Sequence, residues 1–150
     1  MKPPHWEVNK MILTKGAIRD RIRVKSVWLK TTRTPFFTAE DEHVENVTDP
    51  LTATLVPVLS ERYTRYIVSL LFQGNAVAHT SGKVEKYEED GTYTVKWSDI
   101  QIAPAAMPQI PEGSYSIEDP IISLEGGTNL YGHVSGNSIN LTITYWDSEI

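Results

Sequence analysis

The clearest alternation of apolar and polar positions lies at the end of the chain. Ile139, Leu141, Ile143 and Tyr145 alternate with Asn140, Thr142 and Thr144. Successive side chains on a strand point to opposite faces, so this pattern predicts a half-buried strand with the first set on the core. Working backwards, Ser135-Gly136-Asn137 predicts a turn, Thr128 to Val134 a strand, and Gly126-Gly127 another turn. Ser116 to Leu124 reads as a strand weakened by Pro120, and residues 103–116, with three prolines, as a long loop. Tyr87 to Thr92 predicts a hairpin, because Asp90-Gly91 supplies the positive φ of a tight reversal. Thr92 to Trp97 is its returning strand. Ala76 to Tyr87, Arg62 to Gln73 and Leu51 to Val58 are earlier strands, and Pro57 puts the last at an edge or strand end. About eight short strands with almost no amphipathic helix predict an all-β, antiparallel β-sandwich or jelly roll.

Residues 1–50 have a different pattern. Residues 1–16 show weak periodicity and read as an arm. Ile22, Val24 and Trp28 alternate with Arg21, Arg23 and Lys25, a strand pattern. Residues 31–50 hold two prolines and an acidic cluster, and read as a connecting loop with one helical turn near Ala39 to Val44. The expected division is an N-terminal arm and connecting segment, 1–50, and a β-sandwich domain, 51–150.

Charge sharpens this division. Residues 1–35 carry nine Lys or Arg and two acidic residues, whereas residues 36–150 carry five and seventeen, which together give the net charge of −5. A basic leading segment on an acidic body predicts two different contact surfaces. The 150 residues suit one domain, and the absence of cysteine excludes disulfides, thiolate metal sites and cysteine nucleophiles. The start of the sequence has no apolar run of signal-peptide length, and no stretch is long enough to cross a bilayer as a helix, so synthesis in a cytoplasm and no membrane partner are expected.

Candidate chemistry is sparse. His5, His43, His79 and His133 share no metal-ligand spacing, so no metal and no cofactor are expected. There is no G-x-S-x-G nucleophile motif. The carboxylate runs Glu40-Asp41-Glu42 and Glu88-Glu89-Asp90 fall in predicted loops and read as solvated turns. The chain is therefore expected not to be an enzyme. Arg19, Arg21, Arg23 and Lys25, with Trp6 and Trp28 for stacking, raise nucleic acid as a ligand, but the acidic body repels phosphate and argues against it. The same residues suit an acidic protein surface, where charge sets register and association rate.

Ile110-Pro111-Glu112-Gly113, then Gly127-Thr128-Asn129-Leu130-Tyr131, then Leu141-Thr142-Ile143-Thr144-Tyr145 resemble the closing strands of small jelly-roll virion proteins of tailed bacteriophages. Leu55-Val56-Pro57 and Tyr63 to Leu71 fit that group's early strands, so the resemblance covers roughly residues 50–150; residues 1–50 match nothing in it. It implies a head-decoration (cement) protein of the virion that stabilises the assembled capsid. Its expected partners are the major capsid protein or other virion subunits, and its expected state is a homotrimer. Trp6, Ile12, Leu13, Arg19, Arg21, Arg23 and Lys25 are then the expected capsid contacts. Tyr131, Ile143 and Tyr145 are expected in the core or the oligomer interface. A receptor- or glycan-binding module of a tail or baseplate is the alternative, with Trp97 or Trp146 as its platform.

Overall fold

The computed structural model describes residues 15–150. Among the described residues a short helix, α1 (Lys15–Arg21), is followed by eleven strands: β1 (Arg23–Leu29), β2 (Thr34–Pro35), β3 (Val44–Thr48), β4 (Leu55–Leu59), β5 (Tyr63–Gln73), β6 (Thr80–Tyr87), β7 (Tyr93–Ile102), β8 (Gln109–Ile110), β9 (Ile122–Leu124), β10 (Asn129–Val134) and β11 (Ile139–Glu149). The first sheet runs β1-β11-β5, with the short β8 and β9 both on the far side of β5. The second runs β2-β10-β6-β7, and β3 and β4 form a two-stranded third sheet. Every pairing is antiparallel. The two larger sheets pack as a sandwich around Leu29, Phe36, Ile67, Phe72, Leu130 and Leu141, all fully buried. β11, at the centre of the first sheet, buries Ile139, Leu141, Ile143 and Tyr145 as its alternation requires. The β6–β7 hairpin turns at Gly91, whose φ is +87°. A β-branched or bulky residue is strongly disfavoured there.

β1 departs from expectation in phase. It pairs with β11 as Lys25↔Ile143, Val27↔Leu141 and Leu29↔Ile139. Directly opposed residues share a sheet face, so the odd-numbered residues of β1 join the core side. Val27 and Leu29 are buried, while Val24 and Trp28 face outward at 63% and 60% exposure. The local periodicity was ambiguous, and the partner strand decides it.

Residues before position 50 also enter the sandwich. β1 belongs to the first sheet, β2 to the second, and Phe36 and Phe37 lie in the core. Only residues 1–14 lie outside the described residues. In the expected loop 31–50, β2 and β3 form, and turns at 39–43 replace the helical turn. α1 is an unexpected element. Its Ile18 packs on Val68 and Trp146, which lie on the outer face of the first sheet.

Candidate partner-binding surface

α1 and β1 together build one exposed surface. Arg19 and Arg21 are solvent-facing on α1, and Arg23 is exposed at the start of β1. The Arg23 Nη1 donates to the carbonyl oxygens of Ile22 at 3.0 Å and Asp20 at 3.4 Å, which steadies the end of the helix. Arg19, Arg21 and Arg23 have no carboxylate partner among the described residues. Next to this basic group stands the outward row Val24, Ser26, Trp28. It lies opposite Thr144, Thr142 and Asn140 of β11.

Lys25 behaves differently from its neighbours. It points to the core side and forms an ion pair with Asp41, with its ammonium 5.5 Å from the Phe37 ring centroid. Asp41 is in turn held by the Thr38 amide at 2.7 Å. Lys25 therefore anchors the 36–41 turn rather than adding a solvated charge to the surface. Trp6, Ile12 and Leu13 lie outside the described residues. Tyr131, Ile143 and Tyr145 are buried within this one chain.

At the arginine end the surface runs into a polar cavity of about 300 Å³, lined by Arg21, Arg23, Glu42, His43, Tyr63 and Asp147 among others. Behind it Arg65, fully buried, makes a two-pronged ion pair with Asp147: Nε donates to Oδ1 at 2.7 Å and Nη2 to Oδ2 at 2.8 Å. Nη2 also donates to the Glu42 carbonyl at 2.8 Å, and the guanidinium lies 4.3 Å and 4.5 Å from the Phe37 and Tyr145 ring centroids. A buried guanidinium needs such partners, because desolvation without them costs several kcal/mol. His43 completes the cluster. Its Nδ1 donates to Asp147 Oδ2 at 2.9 Å, and its ring stacks on Tyr63 at 3.6 Å. The backbone of His43 has φ of +62°, a conformation sparsely populated outside glycine.

An imidazole oriented by a carboxylate is half of a nucleophilic machine. The other half is missing among the described residues, where no Ser or Thr hydroxyl bonds to His43. No group of three His, Cys, Asp or Glu among them is placed to hold a metal. The arrangement orders charge: it fixes the 42–43 turn onto β5 and β11 and leaves two arginines at the cavity mouth.

A second polar network lies under the third sheet. The buried Asp49 accepts from the amides of Leu51 at 2.7 Å and Thr52 at 3.1 Å and from the Tyr87 hydroxyl at 3.0 Å. The Leu51 amide is the main reason its carboxyl is held below the ordinary range. Burial first, and then the Asp49 acceptor, push Tyr87 up to about 12. Burial drives Tyr131 higher still. Arg33 donates two hydrogen bonds to Glu85, 3.0 and 3.1 Å, and lies 3.8 Å from the Tyr93 ring centroid.

The two tryptophans expected for a glycan platform are otherwise engaged. Trp146 is buried against Ile18 and Val68 and donates Nε1 to the Ile117 carbonyl at 3.2 Å, and Trp97 packs against the core.

No protein-family model matches the chain, and no curated protein matches it in sequence. Among solved structures it is similar to that of the infectious bursal disease virus Gx strain, with a TM-score of 0.39 and 11% identity over 87% of this chain and 32% of that one. It is similar to the VP2 subviral particle of the same virus, with a TM-score of 0.35 and 12% identity over 84% of this chain and 32% of that one. A protein of Shewanella oneidensis is similar at a TM-score of 0.32 and 9% identity, over 87% of this chain and 57% of that one. The chain thus spans about a third of the length of the viral chains.

Proposed function

We propose that the chain is a non-enzymatic structural protein of a bacteriophage virion that binds the assembled capsid and stabilises it as a decoration, or cement, protein. The observation that carries this reading is the α1–β1 surface. It joins three arginines without carboxylate partners among the described residues to an exposed Val24 and Trp28, on a chain whose residues 36–150 are strongly acidic. Charge of this kind orients a partner and speeds its encounter, and an apolar row supplies the area that holds it. The sequence resemblance of residues 50–150 to phage jelly-roll virion proteins supports the virion location, the capsid partner and a homotrimeric state. A protein that binds the assembled shell but not its dissociated subunits stabilises the shell by mass action.

The test is fractionation. Phage particles from cells that produce the chain are banded on a density gradient and probed with an antibody against it. Co-banding with the shell at constant stoichiometry is expected. Its absence from purified particles overturns the reading. Light scattering of the isolated full chain tests the trimer separately.

A further inference from the structure

We infer that β1 is a docking edge that takes up an extended, acidic strand of a partner protein by sheet addition. The inference deepens the proposed function, since it names the chemistry of the partner at the same surface.

Sheet edges expose unpaired backbone donors and acceptors, and soluble proteins usually shorten, bulge or charge them. Among the described residues the other edges are shortened, bulged, charged or interrupted by proline: in the third sheet, β3 carries the exposed Glu45 and β4 carries Pro57. β8 has two residues, β9 three and β2 two. β7 is long, but its pairing with β6 is broken twice by register shifts, and Lys96 and Asp99 stand exposed along it. β1 differs. It has seven residues in unbroken register with β11 on one side, and no described residue pairs with its other side. It contains no proline and no bulge. Its inward-pointing lysine, a common edge guard, is neutralised by Asp41.

The side chains specify what fits. Val24 and Trp28 flank the small Ser26 on the outward face. A large apolar residue opposite Ser26 would sit between them, as cross-strand neighbours and diagonals do. Arg19, Arg21 and Arg23 stand at one end and Lys30 at the other, all without a carboxylate partner among the described residues. The arginine end opens into the cavity lined by Arg21, Arg23 and His43. The complementary strand therefore alternates polar and apolar residues and carries Glu or Asp at both ends. Main-chain hydrogen bonds give such a complex affinity, and the side-chain pattern gives selectivity.

The probe is a nine-residue peptide of alternating threonine and apolar residues (Val, Phe, Val) with Glu at both ends. Its control carries Lys at both ends. Each is titrated into the full chain at low salt, with amide exchange read residue by residue. Expected results are binding of the Glu peptide at least tenfold tighter than the Lys peptide, slowed exchange in β1, and weakening as salt rises. Trp28→Ser and the double variant Arg19→Glu/Arg21→Glu, all at exposed positions, are each expected to weaken binding at least tenfold with an unchanged circular dichroism spectrum. Equal binding of the two peptides overturns the inference, as does protection of β7 or β3 in place of β1. So does a β1 edge already protected in the peptide-free chain, whether at all concentrations (its own residues 1–14 cover it) or only at high concentration (a second copy covers it). If the chain co-bands with particles but β1 fails these tests, the virion reading stands and the docking mode falls.

Discussion

Removing Asp147 tests the electrostatic frame beneath the surface. Asp147 is the only carboxylate paired with Arg65 among the described residues, and the Arg65 side chain has 1% of its surface exposed. Asp147→Ala leaves a guanidinium buried between Phe37 and Tyr145 with one hydrogen-bond acceptor, the Glu42 carbonyl. Breaking a buried pair from one side costs about 3–5 kcal/mol, because the remaining charge stays desolvated. That is a large part of the roughly 5–15 kcal/mol available to a domain. In a chain of this size it lowers the melting temperature by roughly 6–20 °C. Equilibrium urea unfolding at constant slope reads the loss directly. The double variant Arg65→Met/Asp147→Ala removes the stranded charge and fills the space between the rings. It is expected to be more stable than Asp147→Ala alone by about 2 kcal/mol, since apolar replacements of a buried pair are often neutral. A loss below about 1 kcal/mol for Asp147→Ala, or a double variant no better than the single, refutes the reasoning.

Further predictions follow from the packing and from the second network. Trp28→Ser changes unfolding free energy by no more than about 0.5 kcal/mol, the range for exposed positions, in urea titration; a larger loss means that the indole is buried by the chain itself. Leu141→Ala, at a fully buried position in the central strand, costs about 2–5 kcal/mol in the same assay. A Cβ at Gly126 would lie 2.4 Å from the Glu61 Cα and 2.9 Å from the Ser60 oxygen, backbone atoms that cannot swing away. Gly126→Ala is therefore expected to cost about 1–3 kcal/mol. The Asp49–Tyr87 pair gives two pH limits. Asp49 is lowered, so its contribution is complete above the ordinary carboxylate range and is lost as pH falls through its folded value. Tyr87 is raised from 10.0 to about 12, so its contribution is complete below 10 and is lost as pH rises toward 12. Melting temperature against pH, with absorbance at 295 nm, reads both; Asp49→Asn should flatten the acid limb.

The strands that were legible in the sequence carry their own signal. β11 alternates over its first seven residues, and Asp90-Gly91 marks the β6–β7 reversal in two letters. β1 was legible as a strand but not in phase. Its apolar residues occur at both even and odd positions, and only pairing with Ile139, Leu141 and Ile143 decides which set is buried. β3 was hidden by Glu45 and Asn46, polar residues that a two-stranded surface sheet tolerates. α1 was hidden because a seven-residue helix with one buried isoleucine, Ile18, has too few positions to show a period. Of the expected contact residues, Arg19, Arg21 and Arg23 share one exposed surface, while Lys25 turns inward to Asp41, a partner 16 residues away. The His43–Asp147–Arg65 cluster joins residues 104 and 82 positions apart, and no local pattern encodes that. The positive φ of His43 is equally invisible before the fold exists.

The proposed function requires the α1–β1 surface to face another virion subunit. The most direct measurement replaces Trp28 with a photo-crosslinking amino acid in the full chain, assembles it into phage particles, irradiates them, and identifies the captured neighbour by mass spectrometry. A crosslink from position 28 to the shell protein is expected, at an extended segment carrying acidic residues. Particle-bound chain whose position 28 captures only water, or only residues of its own copy, contradicts it.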